Sequence, residues 1–253
     1  MIILGVSIVV ALLVTIVLPI VAGVWINKKL GVAWSVIIYG AFIYFIVQTL
    51  MTLLFWGLDA LYQNGTISLT EEAYRWLQVG FSVLMTAVLG VGFRWGAMRY
   101  MKEKLDNLES AYAIGLGYGA AETIMVWGVP LLMTFISMIQ NIGTEAAEEA
   151  WALSPLVPLS LSAERITAFV LSITVTVLIL QVFKKKSGVW IAAAIGLEVL
   201  VNGLVIGLSE IGLGIGWIIL IAVAFMAFNL FLLYHLHSFD FDITKASAQK
   251  KTE

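Results

Sequence analysis

Three acidic side chains, Glu122, Glu164 and Glu198, interrupt stretches of sequence that are otherwise apolar. An ionisable group near the middle of a membrane-spanning helix costs roughly 3 kcal/mol on insertion scales unless something compensates, so each marks a candidate functional site. Two glutamates held together can divide the work of hydrolysis. One, ionised, activates water as a general base, and the other, neutral, donates a proton, provided that a donor also meets the developing oxyanion. Glu122 and Glu198 are the residues that would carry that chemistry. The competing reading is structural: Arg165, directly after Glu164, clamps one or two carboxylates in a buried polar network. Three carboxylates against one guanidinium cannot all stay charged cheaply.

Other reactive groups are scarce. Ser172 lies two turns beyond Glu164, but no histidine or lysine at membrane depth is available to activate it, so a serine nucleophile is not expected. The two histidines, His235 and His237, stand at the end of the last apolar segment with Asp240 and Asp242 nearby. Positions two apart on a helix point to different faces, and no H-E-x-x-H pattern exists, so neither a metal site nor a cofactor is expected. The chain has no cysteine, which removes disulfides, thiol nucleophiles and Cys-ligated metals. G-x-S-x-G elbows and Walker loops are absent from the sequence.

The elements that must position these groups are membrane spans. Charged residues are 12% of the chain and hydrophobic residues 61%, with mean hydropathy +1.01; soluble domains carry about 25% charged residues. The fold class expected is an all-α, polytopic transmembrane helix bundle of about seven spans, with little sequence left for a soluble domain. The spans fall at about 2–26 (with Pro19 breaking it internally), 31–56, 74–98, 111–138, 156–183, 189–208 and 212–236. Residues 1–237 then form one transmembrane domain, and 238–253 a polar, mobile cytoplasmic tail. The first run lacks a basic start and a small-residue cleavage site, and reads as a retained span rather than a signal peptide.

With alternating spans, Lys28, Lys29, Arg99, Lys102, Lys104, Lys184, Lys185, Lys186, Lys245, Lys250 and Lys251 fall on one side, with Arg94 just inside that face and only Arg75 opposite. This asymmetry places the amino terminus outside and the carboxyl terminus in the cytoplasm. The formal net charge of −2 indicates no nucleic-acid partner. Membrane lipid and another membrane protein or transmembrane helix are the expected partners, in a prokaryotic plasma membrane.

Depth brings the polar groups together. Glu122 lies about 12 residues into its span, roughly 18 Å at 1.5 Å per residue. Glu164 and Arg165 lie about 9 and 10 residues into theirs, and Glu198 and Asn202 about 10 and 14 into theirs, the last two sharing a helical face. All five can meet near the middle of the bilayer. The small residues Gly115, Gly117, Gly119, Ala120 and Ala121 just before Glu122 allow a neighbouring helix to come close and supply its partner.

On these motifs the chain resembles the YhfC family, glutamic-type intramembrane proteases related to the CAAX-protease superfamily. The resemblance covers nearly the whole chain. Gly115-Leu116-Gly117-Tyr118-Gly119-Ala120-Ala121-Glu122 is similar to the family's Gly-x-Gly-His-Gly-Gly-x-Glu stretch, with Tyr118 at the histidine position. Glu164-Arg165-Ile166-Thr167-Ala168 follows the Glu-Arg-x-x-Ala segment, with Ser172 at its later histidine. Glu198 to Asn202 follows His-x-x-x-Asp/Asn, with Glu198 replacing histidine. Arg94 matches the arginine of Glu-Glu-x-x-Arg, where Gly90 and Val91 stand in place of the acids. The resemblance implies a protease frame whose water-activating and proton-donating groups are lost. What it keeps is a buried polar network of Arg94, Tyr118, Glu122, Glu164, Arg165, Ser172, Glu198 and Asn202. A non-catalytic scaffold, transmembrane-helix or lipid binder, or complex subunit is the expectation. The alternatives are an active peptidase using Glu122 and Glu198, and a proton-coupled transporter of small solutes. Transport is disfavoured by the lack of an internal repeat and of clearly broken helices.

Overall fold

Long apolar runs without internal breakers form helices whose ends carry recognisable stop signals. The computed structural model describes residues 2–101, 107–140, 154–212 and 214–249. Lys102, Lys104, the acidic residues Glu145, Glu148 and Glu149, and Lys250 and Lys251 lie outside them. The described residues form α1 (Ile2–Leu12), α2 (Leu18–Leu30), α3 (Trp34–Gln63), α4 (Glu71–Tyr100), α5 (Leu108–Glu122), α6 (Val129–Gln140), α7 (Leu156–Lys185), α8 (Val189–Glu210) and α9 (Ile215–Gln249). No strand occurs among the described residues. Seven helical stretches are long and apolar enough to cross a membrane, α1 with α2 and α5 with α6 each counting as one. Helix α9 runs on without interruption past Ser238, where the polar tail was expected to begin.

The ends follow capping rules. The Thr70 hydroxyl accepts from Ala73 N at 3.3 Å, and Glu71 and Glu72 occupy the first turn of α4. Asn107 caps α5 by accepting from Ser110 N at 2.8 Å. Lys28 and Lys29 close α2, and Lys184 and Lys185 close α7, where cations complement the helix dipole. Gly31 ends α2 in the left-handed region at φ 67°, a conformation that suits glycine.

Prolines shape two helices without breaking them. Proline has no N–H, so the carbonyl four residues earlier loses its partner. Before Pro19, residues Leu13–Val17 widen into a π turn, and before Pro130 residues Thr123–Gly128 do the same. The expected internal break at Pro19 is thus a local widening of a continuous helix. The two wide turns pack together, and a Cβ at Gly128 would come within 2.8 Å of Ile16 Cγ1.

The centre of the bundle is α5, whose alternating glycines face two neighbours. A Cβ at Gly117 would lie 1.9 Å from the Ile37 carbonyl oxygen of α3, and one at Gly40 of α3 would lie 2.2 Å from the Ile114 oxygen. On its other side, a Cβ at Gly115 would meet Ile173 Cα of α7 at 2.7 Å, and one at Gly119 would meet Ser172 Cβ at 3.0 Å. Backbone therefore touches backbone on both flanks of α5, the small-residue packing typical of membrane helices. Around it Ala111, Ala113, Ile114, Val175, Val177, Ile179 and Leu180 are fully enclosed.

Replacing Gly117 by leucine forces α3 away from α5. Overpacking of this kind costs about 3 kcal/mol or more, because the obstructing atoms are backbone rather than flexible side chain. A fall in the thermal unfolding midpoint in detergent is expected for Gly117→Leu and none for Gly57→Ala, whose added Cβ meets open space.

Candidate functional site

Four residues before Arg94, on the same face of α4, stands Gly90. The side chain of Arg94 folds back along that face, and its Nε donates to the Gly90 carbonyl at 2.8 Å. The guanidinium is completely buried. Nη2 donates to Glu198 Oε2 of α8 at 2.8 Å, and Nη1 to the Ser172 carbonyl of α7 at 3.2 Å. Longer contacts reach Ser172 Oγ at 3.5 Å and Thr176 Oγ1 at 3.4 Å. The Tyr118 ring of α5 lies against its flat face, 4.3 Å from Cζ. Gly90 makes room for this assembly: a Cβ there would lie 2.9 Å from the Tyr118 hydroxyl, 3.3 Å from Arg94 Nη2 and 3.5 Å from Glu198 Oε1. Ser172 is fully occupied in holding it, its hydroxyl donating to the Gly115 carbonyl at 2.9 Å. It is a structural hydroxyl.

A second cation sits on α7. Arg165 pairs in close contact with Glu164 through Nη2 and reaches Glu122 Oε1 of α5 with Nη1 at 3.5 Å. Its Cζ lies 5.4 Å from the centre of the Trp127 ring, while Nε is buried with no partner among the described residues. The clamp read from the sequence therefore exists for Glu122 and Glu164. It does not extend to Glu198, which belongs to Arg94. Four of the five groups fall into two ion-pair clusters with Tyr118 between them, and the fifth, Asn202, lines the cavity beside the second.

Beside the second cluster lies a cavity of about 320 Å³. Tyr118, Glu122, Glu164, Arg165 and Asn202 line it; Arg94, Ser172 and Glu198 do not. Tyr118 is thus the wall between a sealed half and an open half. The remaining polar lining comes from Gln48, Ser82, Thr86 and Thr167, with Tyr44 and Trp127 supplying aromatic faces. Sequence reasoning did not single out Gln48, Ser82, Thr86 or Thr176. Gln48 carries a usable signal, a side-chain amide in the middle of an apolar helix. Thr176 lies one turn beyond Ser172 and could be found the same way.

A family model described as YhfC intramembrane metalloprotease matches residues 14–224. The chain belongs to this family. No match is found among curated proteins. The family's description names a metal, which needs a donor set to hold it. Catalytic zinc takes three protein ligands, usually including imidazole, plus an open position. Both histidines of this chain come after residue 234 in the sequence, past the residues that the family model matches. Among the described residues no group of three His, Cys, Asp or Glu side chains is placed to hold an ion. Each buried carboxylate instead touches a guanidinium, a fixed cation that repels a divalent one. The described residues do not fit a metal.

The three positions that the motif resemblance aligns with histidine are Tyr118, Ser172 and Glu198. All three contact the guanidinium of Arg94. Gly90, at one of the positions aligned with the paired acids, opens the space that the guanidinium and its partners share.

Removing Arg94 alone leaves Glu198 buried without its counter-charge. Arg94→Leu is expected to destabilise the protein by about 3–5 kcal/mol, and a double Arg94→Leu, Glu198→Leu variant to recover most of that loss. Unfolding midpoints of the single and double variants in detergent check this. Equal destabilisation by both would show that the ion pair is not what Arg94 supplies.

Proposed function

We propose that this chain is a multi-pass plasma-membrane protein that keeps the frame of an intramembrane protease and binds rather than hydrolyses. It serves as a scaffold or complex subunit, holding a lipid or a transmembrane segment, with its lysine-rich helix ends in the cytoplasm. The observation that supports this most is the position of Arg94. Its guanidinium takes the centre of the three side chains that align with histidines, and it brings a permanent positive charge that neither binds water as a Lewis acid nor exchanges a proton.

The glutamic-peptidase reading meets the same obstacle. A base and an acid must reach one scissile bond, yet Glu122 faces the cavity while Glu198 lies outside its lining and is tied to Arg94. Tyr118, a phenol that keeps its proton at neutral pH, is a poor base there. The polar, open half of the site remains able to hold a ligand.

Full-length protein purified from native membrane is expected to carry no stoichiometric zinc and to keep its unfolding midpoint in EDTA. It should cleave no member of a panel of transmembrane peptides, and should bring down a membrane protein partner. Reproducible proteolysis that disappears in Glu122→Gln would overturn the proposal.

A further inference from the structure

With both acids ionised, the open half of the site carries one more negative charge than positive. Glu122 and Glu164 share the single cation Arg165, and the shares are unequal. Glu164 is in close contact, whereas Glu122 has only the 3.5 Å approach through one of its two oxygens. Its side chain is 31% exposed, toward the cavity. A carboxylate at membrane depth with so distant a partner lacks a positive charge. Arg165 Nε is buried and without a partner among the described residues, so it gives Glu122 no second hydrogen bond. Further polar side chains of the wall, Gln48, Ser82, Thr86 and Asn202, make no hydrogen bond with another described residue. Polar groups in hydrocarbon seek partners, so this space calls for a polar occupant.

The cavity also has an approach. A neighbouring cavity of about 390 Å³ shares Gln48, Ser82 and Thr86 with it and extends along α3 to Asp59. Asp59 stands near the end of α3 opposite the lysine-bearing helix ends, about 16 Å along the axis from Gln48 at 1.5 Å per residue. There it accepts from Gln78 Nε2 at 2.9 Å and from the Tyr74 hydroxyl. Acidic groups thus stand at both ends of a passage between α3 and α4 lined by polar and apolar side chains, and Tyr44 and Trp127 border its inner end.

We infer that this passage admits, and the cavity binds, a small organic cation of the amino-alcohol class. Its ammonium group pairs with Glu122 beside Tyr44 and Trp127, and its hydroxyl bonds to the unpartnered side chains of Gln48 and Asn202. The inference rests on the binding reading above and names its ligand class. The ammonium comes from a free amine or from an ethanolamine lipid headgroup, and the chemistry at Glu122 is the same for both.

The absence of cysteine from the chain makes a direct test available. Full-length Ser82→Cys protein in phosphatidylglycerol liposomes is treated with two thiosulfonates of similar size, one bearing trimethylammonium and one sulfonate. After correction for their reactivity toward a free thiol, the cationic reagent should react faster by about tenfold or more, the scale of one charge-assisted contact. Ethanolamine should slow the reaction, while ethylene glycol and acetate should not. Adding Glu122→Gln should erase the preference for the cation. A second variant, Asn202→Leu, should keep the preference and weaken protection by ethanolamine.

Repeating the reaction in phosphatidylethanolamine liposomes separates the sources. Protection there without added amine assigns the lipid headgroup, and protection only by added ethanolamine assigns the free amine. Equal corrected rates, faster reaction of the anion, no reaction with either reagent, or no protection from either source overturns the inference. Peptide cleavage is read separately. Cleavage with intact amine binding would refute only the loss of hydrolysis, and no cleavage without amine binding would refute only the ligand.

Discussion

A charge at membrane depth has to be met by an opposite charge at contact distance, and much of this bundle follows from that requirement. Water cannot screen the pair, so helices carrying the partners must approach until their side chains touch. Arg94 on α4, Glu198 on α8 and Ser172 on α7 are drawn to one point. Glu122 on α5 is drawn to Arg165 on α7. The approach is possible because α5 presents glycine to both flanks, so that the backbones of α3 and α7 lie against it. Polar pairing and small-residue packing are two sides of one constraint here. Without the glycines Arg165 would fall short of Glu122, and without the arginines the carboxylates would be strongly unfavourable in the interior.

The two ion-pair clusters are unequal, one sealed and the other facing a cavity. Around Arg94 the guanidinium donates to backbone, hydroxyl and carboxylate oxygens and is covered by an aromatic ring. A group so fully engaged fixes helix positions and has no capacity left for chemistry. Around Arg165 two acids compete for one cation, one donor has no partner, and the carboxylate with the weaker share faces a cavity. Tyr118 divides the two. Membership of the YhfC family identifies the frame, within which the described residues offer no group of three metal-ligating side chains.

The prolines contribute in a similar way. Each would leave a carbonyl unpaired in hydrocarbon, and each is preceded by a widened turn. The turn before Pro130 begins directly after Glu122 and carries Trp127, which contacts Arg165. A local solution to a backbone problem thus also shapes the wall of the cavity.

Much of this was legible in the residues. Composition and run length specify a seven-span helical bundle, because only apolar helices of that length satisfy their backbones in lipid. The mid-span acids, the Glu164–Arg165 dipeptide and the glycine stretch before Glu122 mark the site, since such residues are costly in lipid without a reason to be there. Three-dimensional packing alone decided which arginine serves which acid. Arg94 reads as a residue just inside the basic face, yet it is fully buried and owns Glu198. The space opened by Gly90, and the passage past Gln48, Ser82 and Thr86, are equally invisible in sequence. The reason is physical. Cost at membrane depth is a property of one residue and its neighbours along the chain, whereas pairing depends on the rotation and separation of helices far apart in sequence.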